Sequence, residues 1–206
     1  RVFLRTNNDT GSKGIIDIDS IKTDEFIKND LAITIKDAQE KARTRIDTRA
    51  MVCEFISPDE QNQYVVYRAH VVLNEIISFY VIPSRNSTAF NKGMNIDQID
   101  TFINLNYCFE KQIKKRSLYN KIIKSVHVTG CNVGAVEFIM KDKEPVFIEL
   151  NHHWGGHAGR DGFGNNKFQQ YLNNNKNDLQ NKIPTIYNWL DYSSYYLNLY
   201  KIISEA

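Results

Sequence analysis

The 206-residue chain predicts an α+β fold. Two observations lead there. Short apolar runs rich in Val, Ile, Phe and Tyr come in pairs joined by tight polar turns, which is the mark of antiparallel hairpins. The stretches with helical spacing of apolar residues are segregated from them, at about 98–128 and 166–206.

In chain order, RVFLR (1–5) and IIDID (15–19) are strands around TNNDTGSKG, a turn rich in Asn, Asp, Gly and Ser. DAQEKARTRID (37–47) is rich in good helix formers and predicts a short helix. AMVCEFI (50–56) is an apolar strand stopped by Ser57-Pro58. YVVYRAHVVL (64–73) and IISFYVI (76–82) form a hairpin about Asn74-Glu75, and PSRNSTAFNKGMNID (83–97) is loop. The spacing of Ile, Phe, Leu and Tyr over 98–128 predicts helices, with one clear helix at 109–128. GAVEFIMKDKEPVFIEL (134–150) reads as strand, charged turn, strand, and HHWGGHAGRDGFGNN as a glycine-rich loop. The tail is helical and aromatic, with Tyr187, Trp189, Tyr192, Tyr195, Tyr196 and Tyr200 expected in core packing or in lid helices.

Composition bounds the function. With 42% hydrophobic and 24% charged residues the chain can build a core, and its length suits one domain or two small lobes. A net charge of +2 gives no support to a nucleic-acid or membrane-surface partner, and Lys114-Lys115-Arg116 reads as a solvated helix face. No apolar run reaches the roughly 18 residues of a membrane span. Three scattered cysteines, Cys53, Cys108 and Cys131, form no CxxC motif and read as buried free thiols. They favour a reducing, cytoplasmic setting.

Glu137 and Glu149 lie on two strands joined by the turn 141–145, near each other across the ladder. Glu149 and Asn151, two apart, share a face. Glu137 interrupts an otherwise apolar run, where a carboxylate is costly unless paired or holding a metal. Two carboxylates and a carboxamide on one face form a hard-oxygen set suited to Mg²⁺ or Mn²⁺. Three polar residues on an exposed sheet face is the other reading that this spacing allows.

The joint pattern VGAVEFIMKDKEPVFIELNHHWGG resembles the closing motif of ATP-grasp ligases: a strand with an acidic residue, a hairpin, a second strand ending in Glu-x-Asn, and a glycine loop. The resemblance implies two α/β lobes whose antiparallel sheets sandwich ATP. Residues 1–56 would be the small lid lobe, and 57–206 the large lobe with the metal site and C-terminal helices. It also implies that Glu137, Glu149 and Asn151 coordinate the Mg²⁺ that clamps ATP. RVFLRTNNDTGSKGI resembles the family's phosphate-covering segment, which assigns Arg5, Ser12, Lys13 and Gly14 to the phosphates. AMVCEFI resembles the hinge strand, which assigns Cys53, Glu54 and Phe55 to the adenine, and Glu60 to the ribose with Asp59 as a rival.

YRAHVVLNEIISFYVIPSR resembles the arginine strand of the branch with glutathione synthetase and the ribosomal-protein glutamate ligases. Arg68 and Arg85 are its matching positions, and with Lys13 they are the catalytic candidates. Arg68 would touch triphosphate or acyl phosphate, and Arg85 substrate or γ-phosphate, each as a planar donor. The match runs from about residue 1 to residue 160. The family carries a further lobe ahead of these motifs, and a chain opening at Arg1 inside a strand-like run leads us to expect an upstream segment.

His152, His153 and His157 invite a zinc reading, but adjacent 152 and 153 cannot both face one metal from a regular strand. His153, and better Arg160 in its glycine loop, are candidates for substrate contacts. The implied activity is ATP-dependent joining of a small-molecule or peptide carboxylate to an amine, through an acyl phosphate. The implied cofactors are ATP and Mg²⁺. A nucleotide-binding module without ligase chemistry is the alternative, because Arg5 stands where the family usually has Lys. Donor, acceptor and any homo-oligomer formed through the aromatic tail stay open.

Overall fold

A computed structural model describes residues 2–6, 16–18, 29, 32–33, 36, 50–54, 56, 64–84, 96–152, 170–171, 174–183 and 192–205. The chain divides into two compact units, Arg1–Ser57 and Pro58–Ala206.

The first unit holds a three-stranded sheet of β1 (Val2–Thr6), β2 (Ile16–Ile18) and β3 (Ala50–Glu54), in the order β2-β1-β3. Both pairings are antiparallel, with Leu4 opposite Ile16 on one side and Val52 on the other. The strand predicted over 50–56 thus ends earlier, at Glu54. The helix expected over 37–47 lies outside the described residues.

The second unit is an α+β assembly around a four-stranded antiparallel sheet. Its strands are β4 (Tyr64–Val72), β5 (Glu75–Ser84), β6 (Val133–Lys141) and β7 (Glu144–Asn151), in the order β5-β4-β6-β7. Between the two hairpins run a 3₁₀ turn, Ile96–Gln98, and two helices, α1 (Ile99–Ile113) and α2 (Arg116–His127). The single helix expected over 109–128 is therefore two. The chain breaks at Lys115, whose extended backbone (ψ 115°) interrupts the helical run and whose carbonyl then accepts from the Leu118 and Tyr119 amides. Two later helices follow, α3 (Lys176–Lys182) and α4 (Tyr192–Ser204).

One face of this sheet meets α1 and α2. Ala69, Val71, Phe79, Val81, Val136 and Phe138 from the strands pack with Phe109 and Ile113 of α1 and with Leu118, Ile122, Ile123 and Val126 of α2. Four aromatic rings knit its centre: Phe109 lies 4.9 Å from both Tyr67 and Phe79, and Tyr67 stacks on Phe138 at 5.3 Å. Gly134 lets α2 come close, since a Cβ there would meet Leu150 Cδ1 at 2.6 Å and Val126 Cγ1 at 3.3 Å. The outer edge of β5 is closed by a side chain of α1. Asn106, fully buried, accepts from the Val81 amide through Oδ1 (2.8 Å). Its Nδ2 donates to the Val81 carbonyl (2.9 Å) and to Phe102 O (2.7 Å). The carboxamide thus stands in for a neighbouring strand at an edge that would otherwise leave buried amides unpaired.

One hairpin turn is three residues tighter than the sequence suggests, and the other lies one residue earlier. The β6–β7 turn is Asp142-Lys143, with φ of 52° and 66°, the left-handed pair that matches the twist of an antiparallel ribbon. The β4–β5 turn is Leu73-Asn74, with Leu73 at φ 54°, not Asn74-Glu75. The cysteines are free, but none is fully buried: Cys53 and Cys131 are half-buried and Cys108 is exposed on α1. In the tail, Tyr200 is 73% exposed, so it joins no core, while Leu199 and Ile202 of the same helix pack on Val72 and Ile77. Among the described residues no helix is long and apolar enough to cross a membrane.

Candidate functional site

The polar side chains lie on the sheet face opposite α2, and two shifts of register put them there. From the turn Asp142-Lys143, Lys141 pairs with Glu144 and the register runs regularly to Phe138 opposite Phe147. Continued without a break, it would set Ile148 opposite Glu137 and turn Glu149 toward the helices, opposite Val136. Instead the register shifts between Glu137 and Phe138, Ile148 is passed over, and Glu149 stands opposite Glu137. The β4–β5 hairpin does the same. Its register shifts between His70 and Val71, so His70 meets Ser78 rather than Ile77, and Arg68 meets Tyr80 rather than Phe79.

With β4 and β6 in register, these two shifts align two rows across all four strands. One row reads Tyr80, Arg68, Glu137, Glu149 from β5 to β7. The next reads Ser78, His70, Ala135, Asn151. Residues directly opposite across an antiparallel ladder share a face, so both rows lie on the same side.

The first row grades from dry to wet. Tyr80 is 5% exposed and packs among Ile82, Ile99, Phe102, Leu179 and Ile183. Arg68 and Glu137 are half-buried, and Glu149 is exposed. Arg68 Nη1 donates to Glu137 Oε1 at 2.6 Å, a charge-assisted bond. Burial lifts the Glu137 carboxyl above its ordinary range; Arg68 opposes the rise, and the neighbouring Glu149 charge adds to it. Arg68 Nε is buried and has no hydrogen-bond partner among the described residues. In the second row His70 Nδ1 and Ser78 Oγ lie 2.8 Å apart, both residues buried, and the His70 ring is 5.9 Å from that of Tyr80.

Four of the residues singled out in the sequence are thus brought together: Arg68, Glu137, Glu149 and Asn151. Sequence reasoning missed Tyr80, His70 and Ser78. Their signal was available as polar residues inside the apolar runs YRAHVV and IISFYVI, at positions matched across one hairpin.

In the other unit, Arg5 stands opposite Met51, and Cys53 and Glu54 stand opposite Phe3 and Val2. Cys53 is half-buried and Glu54 exposed. Ser12, Lys13, Gly14, Phe55, Glu60, Arg85, His153 and Arg160 lie outside the described residues, as do Asp59 and His157. His152 is exposed, just past the end of β7.

At the β6–β7 end of this face the donors are two carboxylates and one carboxamide oxygen. That chemistry fits a hard divalent cation such as Mg²⁺ better than zinc. Among the described residues no group of three or more His, Cys, Asp or Glu side chains is placed to hold a metal. A cation here would therefore rely on the Glu137–Glu149 pair and Asn151, with water or phosphate oxygens completing its shell. A scan against protein-family models and a search of curated proteins both returned no match to the chain.

Proposed function

We propose that the chain is an ATP-dependent carboxylate–amine ligase of the ATP-grasp kind, working in the cytoplasm. The observation that carries this reading is the single row Arg68–Glu137–Glu149, with Asn151 one step along on the same face. A guanidinium whose buried Nε has no partner among the described residues, beside two carboxylates, is an arrangement that an anionic oxygen and a divalent cation would complete together.

On this reading Glu137, Glu149 and Asn151 would hold Mg²⁺, which would supply positive charge against the nucleotide's phosphates. Arg68 offers its spare donor to the transferred phosphoryl group, and Lys13 and Arg85 neutralise the charge that develops on it. Arg5, Ser12 and Gly14 cover the phosphates. Cys53, Glu54 and Phe55 take the adenine and Glu60 the ribose, while Arg160 and His153 meet the carboxylate or amine substrate. ATP phosphorylates the carboxylate, releasing ADP; the amine attacks the acyl phosphate, and phosphate leaves. The protein's share of such catalysis is positioning and charge neutralisation, which agrees with a row built of an arginine and two carboxylates.

The test is a thermal-shift titration with ATP, ADP and GTP, each with Mg²⁺ and with EDTA. A ligand at about a hundredfold excess over Kd adds about 2.7 kcal/mol to native-state stability. An Mg²⁺-dependent rise selective for adenine nucleotides is expected, followed by hydroxylamine-trapped acyl phosphate once a carboxylate donor is supplied. Indifference to Mg²⁺, or an equal response to GTP, would overturn the reading.

A further inference from the structure

Tyr80 is the one aromatic residue in the polar row, and it does not behave as simple core filling. The bulge in the β4–β5 hairpin places it directly across the ladder from Arg68. Its ring is buried in the apolar cluster of Ile99, Phe102, Leu179 and Ile183, from α1 and the α3 region, so it cannot swing away. On its other side lies the His70 ring at 5.9 Å, itself tied to Ser78. The hydroxyl end therefore meets the guanidinium from a fixed direction.

We propose that Tyr80 is a positioning residue for Arg68: its phenol oxygen accepts from the guanidinium and holds it in the row facing Glu137, so that the spare Nε donor is presented to a bound oxyanion. Arg68 is then held at two points, by Glu137 on the β6 side and by Tyr80 on the β5 side. A flexible side chain fixed in this way loses less freedom when ligand arrives, which strengthens each bond it makes. The state of the phenol suits the role. Burial pushes its pKa up to about 12, with Glu137 adding to the rise and Arg68 opposing it through its charge and a hydrogen bond. The hydroxyl therefore keeps its proton across the physiological range, and its oxygen stays a neutral acceptor that adds no second negative charge beside Arg68.

Because the inference rests on the nucleotide-site reading, the experiment separates the two. Mg²⁺·ATP affinity is measured by titration calorimetry for the wild type, Tyr80→Phe, Arg68→Met and the double variant. Tyr80→Phe keeps the ring and removes only the hydroxyl. It is expected to weaken binding about tenfold when Arg68 is present, the loss of one hydrogen bond to a charged group, and to add nothing in the Arg68→Met background. A purely structural role would lower the melting temperature equally in both backgrounds and leave affinity alone. Full affinity in Tyr80→Phe, or the same loss in both backgrounds, would overturn the proposal.

If the wild type binds no nucleotide, the ligase reading fails, and the positioning claim is decided without ligand. The Arg68 Nε–H signal is then followed by ¹⁵N NMR. Its solvent exchange is expected to quicken about tenfold in Tyr80→Phe; unchanged exchange would overturn the proposal.

Discussion

Replacing Arg68 with Met keeps an unbranched apolar stem and deletes the guanidinium. Glu137 is then left largely out of water, with Glu149 as its nearest ionisable neighbour in the row. A fully buried ion pair broken from one side loses about 3–5 kcal/mol, and an exposed one about 0.2–1 kcal/mol. With side chains 17% and 27% exposed, this pair falls between those limits, and we expect a loss of about 2 kcal/mol at pH 7.5. The pH dependence carries the diagnosis. Burial already raises the Glu137 carboxyl, and removing Arg68 takes away the main influence holding it down. A carboxyl whose folded pKa lies above its unfolded value stabilises the fold when protonated, so the deficit is complete above the folded pKa. It shrinks as pH falls, and below about pH 4, under the unfolded pKa of a glutamate, most of it is gone. Glu137→Gln removes the charge in the other partner and is expected to recover at least half of the Arg68→Met loss when combined with it. The assay is urea denaturation followed by far-ultraviolet circular dichroism, reading the midpoint at constant slope. Additivity of the two substitutions within about 0.5 kcal/mol, or a deficit that ignores pH, would refute the reasoning. The pair would then be an ordinary solvated salt bridge and no part of a charge-balanced site.

Glu149→Gln should leave the fold intact, because Glu149 is exposed, and should remove the Mg²⁺ dependence of any nucleotide-induced thermal shift; an undiminished Mg²⁺ effect would remove Glu149 from the ligand set. Asn106→Ala strips the Val81 amide and carbonyl of their partners inside the protein. A loss of about 3 kcal/mol in chemical denaturation is expected, and a loss under about 1 kcal/mol would mean water takes over the edge of β5. The phenol of Tyr80, raised to about 12 by burial, holds its proton more tightly folded than unfolded. Its stabilising effect is therefore complete below about pH 10 and lost as pH rises through 12, at up to about 1.4 kcal/mol per unit; Tyr80→Phe should flatten that part of the alkaline profile. Deleting Ile148 should heal the β7 bulge and leave Glu149 opposite Glu137 and Leu150 against the helices. A stability change below about 1 kcal/mol is expected, where an ordinary mid-strand deletion flips every later side chain; loss of cooperative unfolding would show that Ile148 itself packs.

The α+β class and both hairpins of the second unit were legible because period-2 alternation and turn residues act locally. YVVYRAHVV and EIISFYVIPS could hardly be anything but strands. Errors gathered where tertiary packing overrode an unbroken local signal. The helical periodicity of 109–128 runs straight through Lys114-Lys115, and nothing there is a Pro or Gly, so the break into α1 and α2 has no sequence mark. Its cause is tertiary: α1 lies along β5, held by Asn106, whereas α2 packs on β6 and β7. Cys108 misled in a similar way. An apolar-looking residue beside Tyr107 and Phe109 was expected inside, yet of the three only Phe109 points to the core, and the helix turns Tyr107 and Cys108 to solvent.

The carboxylate pair is the instructive case, because the expectation was met by a route that the sequence does not display. Spacing alone argued that Glu137 and Glu149 converge. But a two-residue turn at Asp142-Lys143 fixes a register in which they would face opposite sides of the sheet. Only the extra residue in β7 reconciles them, and a bulge leaves no fixed letter in the sequence. The same reasoning applies to β5, where the shift between His70 and Val71 delivers Ser78 and Tyr80 to the polar face while Phe79 and Val81 go to the core. Each hairpin is thus built to two specifications at once: a tight turn that closes it, and a register that aims its polar residues inward onto one row. A bulge is the local device that satisfies both. That two hairpins need one, in the same sheet and for adjacent rows, argues that the alignment of Tyr80, Arg68, Glu137 and Glu149 is what the sheet is arranged to produce. A β6–β7 ladder under no such demand could run unbroken with the exposed Ile148 deleted.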